Sequence, residues 1–74
     1  MEAESTNSVE VTVNGRRQEI PAGASVADLL ELLEVSSGRV AVELNREILK
    51  KEFWAGATLS GGEELEIVHF VGGG

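Results

Sequence analysis

The residues with the most chemical potential close the sequence: Gly72, Gly73 and Gly74, followed by the main-chain carboxylate. With glycine at roughly 7% of average sequence, a chance triplet at one place has a probability of order 10⁻⁴ to 10⁻³. Three residues without side chains bury nothing, and extended they span roughly 10 Å. Such a tail can thread a narrow channel and present its carboxylate to another protein's active site. A carboxylate is a poor acyl electrophile, because resonance and negative charge both repel nucleophiles. Joined to AMP as a mixed anhydride, it becomes open to attack by sulfur or nitrogen. That activation needs ATP, a divalent metal and cationic clamps on phosphate. An acidic chain does not supply them, so a partner enzyme must, and this chain is then the substrate and the carrier.

The rest of the sequence is poor in chemistry of its own. Without cysteine there is no disulfide, zinc ribbon or thiol nucleophile. None of the nine glycines belongs to a phosphate-cradling loop, and no G-x-S-x-G elbow occurs. A single histidine, His69, among carboxylates makes a transition-metal site improbable, so no metal ligand is assigned. On the parity of Leu65 and Ile67, His69 reads as a partly buried or edge residue making one hydrogen bond. Thirteen acidic against six basic side chains give a net charge of −7. That balance disfavours nucleic acid and anionic membranes and steers the chain towards a basic patch on another protein. No apolar run approaches the ~20 residues of a membrane span. Met1 to Ser8 lack the positive start and apolar stretch of a secretion signal, so the expected location is the cytoplasm.

Seventy-four residues, 42% of them hydrophobic, suffice for one small domain. The expected layout is a flexible leader at 1–8, a domain at 9–71 and a flexible tail at 72–74. Val9, Val11 and Val13 alternate with Glu10 and Thr12, the period of a half-buried strand. Asn14-Gly15 then signals a type I′ hairpin turn, which pairs Val13 with Arg16 and Val9 with Ile20. Pro21 closes the second strand. Ser25 with Asp28 three residues on forms a helix start, and Val26, Leu29, Leu30 and Leu33 make one apolar stripe. Ser36, Ser37 and Gly38 are expected to end the helix. A third strand follows at Val40–Leu44, a turn at Asn45-Arg46, a short strand at Glu47–Leu49, and a helical turn at Lys51–Trp54. Glu64 to Val71 forms the last strand. This order predicts an α+β fold of β-grasp, ubiquitin-like plan: a mixed sheet of four to five strands packed against one main helix.

The last strand is apolar on both parities. Leu65 and Ile67 match the inward face, while Val68 and Phe70 point the other way, and one core cannot hide both sets. Either Phe53, Trp54 or a bend in the strand covers Val68 and Phe70, or they form an exposed patch of the kind that marks a binding surface.

The segment Val40 to Gly74, with the opening VEVTVNG, the helix entry PAGASVADLL, the strand VAVELN, the Trp54-Ala55 pair and the ending VHFVGGG, resembles the ThiS family of sulfur carriers in thiamine biosynthesis. The resemblance covers the chain after the leader. It implies that Gly74 is adenylated by a ThiF-like, ubiquitin-activating-type adenylyltransferase and converted to a thiocarboxylate. Sulfur would come through a cysteine desulfurase and pass to thiazole synthase for the thiazole ring. Gly72 and Gly73 would thread the tail, and Val68 and Phe70 would face the partner. The chain would be no enzyme and bind no cofactor, ATP and a divalent metal being used by the partner. Related carriers for molybdopterin or tRNA thiolation, and modifiers that conjugate to proteins, share this fold and tail.

Overall fold

A computed structural model describes residues 7–35 and 37–70. Strand β1 (Ser8–Val13) and strand β2 (Arg16–Pro21) form an antiparallel hairpin with Val9 opposite Ile20 and Val13 opposite Arg16. The register follows from the two-residue turn. Asn14 and Gly15 both take positive φ, 51° and 84°, as a type I′ turn requires. Ser8, assigned to the leader from sequence, already opens β1 opposite Pro21, and the Asn7 carbonyl accepts a bond from the Ala22 amide. The ordered pairing thus starts ahead of the valine alternation.

Helix α1 (Val26–Leu32) is set by a capping box. The Asp28 amide donates to Ser25 Oγ at 3.1 Å, and the Ser25 amide donates to Asp28 Oδ2 at 3.0 Å. Its other end departs from the sequence expectation. Leu33 caps the helix and Glu34 takes a left-handed φ of 58°, well before Gly38. The Glu34 amide donates to the Glu31 carbonyl and the Val35 amide reaches back to the Leu30 carbonyl at 2.9 Å. These two bonds are a Schellman motif with glutamate where glycine is usual. It prevails here because it brings Val35 back against the core.

A 3₁₀ turn at Ser37–Arg39 leads to strand β3 (Val40–Leu44), which pairs antiparallel with strand β4 (Glu47–Leu49). A second 3₁₀ turn, Lys51–Phe53, delivers Trp54 into the core, where its indole N–H donates to the Leu49 carbonyl at 2.9 Å. The following loop is tied to the helix entry by bonds from Val26 to the Ala57 carbonyl and from Leu59 to the Ala24 carbonyl. Strand β5 (Glu64–His69) completes a five-stranded sheet of order β2-β1-β5-β3-β4, parallel only between β1 and β5.

One face of that sheet meets the helix. Val11, Ile20, Val42 and Leu65 from the strands are buried with Val26 and Leu29 from α1, and Trp54 and Leu59 close the side. Each fully buried Val, Leu or Ile contributes about 1.5–3 kcal/mol. In so small a domain, a handful of such side chains decides whether it folds. Among the described residues, no helix is long and apolar enough to cross a membrane.

The left-handed Glu34 carries a Cβ penalty that glycine escapes. Glu34→Gly is therefore expected to stabilise the chain by about 1 kcal/mol, read as a higher denaturant midpoint at unchanged slope. A lower midpoint would show that the Glu34 side chain holds the helix end.

Candidate functional site

The candidate site is the end of β5, the strand that runs into the glycine tail. β5 lies in the middle of the sheet and is bonded on both flanks. On one side, the Thr12 amide donates to the Glu63 carbonyl and the Asn14 amide to the Leu65 carbonyl, both at 2.9 Å. There β1 must turn away into its hairpin, so its backbone cannot continue the ladder. The Asn14 side chain takes over: Nδ2 donates to the Ile67 carbonyl at 3.2 Å and Oδ1 accepts from the Ile67 amide at 2.8 Å. On the other side, the Asn45 amide donates to the Glu64 carbonyl at 2.7 Å, and Asn45 Oδ1 accepts from the Glu64 amide at 3.0 Å. One asparagine from each hairpin turn therefore holds β5. The Phe70 amide makes a further bond to the Arg39 carbonyl at 2.8 Å. From Phe70 to Gly74 is four residues, a reach of roughly 13 Å when extended.

Gly72, Gly73 and Gly74 lie outside the described residues. Val68 and Phe70 are described, and they stand on the sheet face away from the helix. Leu65 and Ile67 are 2% and 6% exposed, whereas Val68 and Phe70 are 49% and 57% exposed. Trp54 does not cover them, since it is buried in the core, and Phe53 is itself exposed. Val68 sits opposite Ala41 on β3, so the apolar strip continues across the strand pair. Further along, Glu66 sits opposite Glu43, and Glu43 opposite Ile48 of β4, which is 76% exposed. Glu43, Glu64 and Glu66 line an open cleft on this face with Arg46. The outer face is thus apolar next to the tail and acidic farther from it. Alternation in β4 and the two-residue turn could have marked Ile48 for this face, but a three-residue strand offers too little pattern to single it out. His69 has inward parity but is exposed, so of the two alternatives, partly buried or edge, the first is overturned; it pairs with Val40 at the last rung of the ladder. Among the described residues, no group of three His, Cys, Asp or Glu is placed to hold a metal ion.

Residues 11–74 match the model of the ThiS family, from β1 through the last glycine. The chain belongs to the ThiS family. It is 42% identical over 50 residues to the sulfur carrier protein ThiS of Bacillus subtilis, covering 68% of this chain and 76% of that one. It is 41% identical over 66 residues to a thiazole synthase of Paramagnetospirillum magneticum. That stretch is 89% of this chain but only 20% of the synthase, so the chain spans about a fifth of that relative. The crystal structure of the thiamine biosynthesis protein ThiS from Geobacter metallireducens superposes with a TM-score of 0.78 at 35% identity, covering 89% of this chain and all of that one. The β-grasp plan of the ThiS family is therefore the plan of this chain.

Two outcomes follow from the geometry. Asn14→Gly keeps the positive-φ turn and removes both side-chain bonds to Ile67. It is expected to cost about 1–3 kcal/mol and to speed hydrogen exchange at the Ile67 amide; unchanged exchange there would mean that the asparagine is not the clamp. Phe70→Asp, on the exposed face, is expected to change stability by no more than about 0.5 kcal/mol, whereas Leu65→Ala should cost about 2–5 kcal/mol. Unfolding of the Phe70 variant would place that ring in the core.

Proposed function

We propose that the chain is a sulfur carrier for the thiazole moiety of thiamine, with the Gly74 carboxylate as its working group. The observation that carries this reading is the family match running through the final glycine, on a strand whose body is anchored at the centre of the sheet. A partner adenylyltransferase of ThiF type joins the carboxylate to AMP, with release of pyrophosphate from ATP. A persulfide sulfur supplied through a cysteine desulfurase then displaces AMP to give an acyl disulfide. A thiol reductant cleaves that S–S bond, being oxidised to a disulfide, and releases the thiocarboxylate. Thiazole synthase takes the sulfur. ATP and a divalent metal belong to the partner, and this chain contributes no catalytic group.

The chain's own part is presentation. Gly72 and Gly73, without side chains, allow the tail to enter a channel too narrow for larger residues. Val68 and Phe70 give the partner an apolar foothold at the base of that tail, and the acidic residues beyond them favour a basic surface. The identity to a stretch within chains named thiazole synthase supports that enzyme as a partner.

The test is intact mass spectrometry after incubation with the activating enzyme, ATP and a sulfur donor. The expected product has one oxygen replaced by sulfur, localised to the C-terminal peptide. Absence of that product, with the same enzymes active on another carrier, would sink the reading. Gly73→Ala and Gly74→Ala are expected to fold normally but to lose most thiocarboxylate formation, because a methyl group obstructs the channel; normal conversion would mean the tail is not threaded.

A further inference from the structure

The two hairpins of this chain turn on two-residue loops with positive φ at both positions, and they differ in one respect. β1–β2 turns on Asn14 and Gly15, and β3–β4 on Asn45 (φ 51°) and Arg46 (φ 71°). Glycine suits the second position because any Cβ there crowds the following carbonyl. Gly15 meets that demand, and Arg46 does not. The arginine is exposed, in an open cleft with Glu43, Glu64 and Glu66. An exposed cation near carboxylates adds little to folding, so the fold by itself gives weak reason to keep a strained arginine there.

Its position is informative. The β3–β4 turn lies beside Glu64, at the end of the outer face opposite Phe70. Six residues of strand separate the two ends, roughly 20 Å. One partner's share of a standard interface, about 800 Å², spans that length. The apolar foot at Val68 and Phe70 gives contact without direction. The carboxylates attract a basic surface broadly. A cation at one corner of an acidic face breaks this symmetry, since a rotated docking sets it against the partner's own cations.

We propose that Arg46 is a docking residue that pairs with a carboxylate on thiazole synthase and fixes the rotational register in which the tail enters. The guanidinium fork suits a carboxylate acceptor. The inference rests on the carrier reading above, and thiazole synthase is named as partner because this chain matches a stretch of proteins so named.

The experiment measures binding of the full chain to a separately purified thiazole synthase, at low and high salt, for wild type, R46G, R46A and R46K, with thermal unfolding of each. R46G is expected to raise Tm by about 4–8 °C, whereas R46A, which retains the strain, leaves it unchanged. Both should weaken binding about two- to fivefold at low salt, by less at high salt, and R46K, which keeps the charge but not the fork, should recover only part of the affinity. Wild-type affinity in R46G and R46A overturns the proposal. So does a lower Tm in R46A and R46G, which would assign Arg46 to the fold. A wild-type chain that forms the thiocarboxylate but does not bind the synthase overturns this inference and leaves the carrier chemistry standing; a chain that never forms it overturns both.

Discussion

The structure depends on one strand being held from both sides. β5 forms with β1 the one parallel pair among the described residues, and it separates the β1–β2 hairpin from the β3–β4 hairpin. If β5 loosened, the sheet would fall into two hairpins, and a lone hairpin is marginally stable at best in water. The chain secures it with two asparagines whose turn positions differ in sequence by 31 residues but whose roles correspond: Asn14 grips Ile67 and Asn45 grips Glu64. Each uses a residue already selected for positive φ to make a strand-like bond as well. The Arg39 carbonyl adds a bond at Phe70, where the strand gives way to the tail.

That arrangement suits the carrier role proposed above, in which the working group is the carboxylate of a tail without side chains. Glycines cannot carry recognition, so affinity and orientation must come from the surface beside them. Period-two alternation divides β5 cleanly. Leu65 and Ile67 join the core, while Glu64, Glu66 and Val68 face outward, with Phe70 beyond them exposed. The same alternation on β3 puts Val40 and Val42 inside and Ala41 and Glu43 outside. The core and the proposed docking surface thus draw on different residues of the same strands.

Much of this was legible from the sequence. The valine alternation, Asn14-Gly15 and Ile20 specify the first hairpin and its register, because a two-residue type I′ loop leaves no freedom in pairing. Ser25 and Asp28 specify the helix start, and the double apolar parity of β5 marks Val68 and Phe70 as lying outside the core. The helix end was not legible. Gly38 is the natural stop by residue type, yet packing of Val35 ends the helix at Leu33 with Glu34 in the left-handed region. Nor were the asparagine clamps, since turn chemistry specifies φ at Asn14 but not a side-chain partner 53 residues away. His69 shows the limit of parity: alternation gives the side of the sheet, while burial also needs the helix to extend over that rung.

The tail, the acidity and the missing cysteine form one constraint. A carrier with its own thiol would compete with its terminus for activated sulfur or acyl groups, whereas a chain without cysteine offers the main-chain carboxylate alone. Excess negative charge repels other copies of the chain and favours encounter with a cationic enzyme surface. It also costs stability in a domain with a thin core. Two bulky residues at left-handed positions, Glu34 and Arg46, add to that cost. Glu34 closes a helix end that brings Val35 onto the core, so its strain is offset within the fold. Among the described residues Arg46 makes no side-chain hydrogen bond of that kind, and the docking role proposed for it places the compensation at the partner's surface.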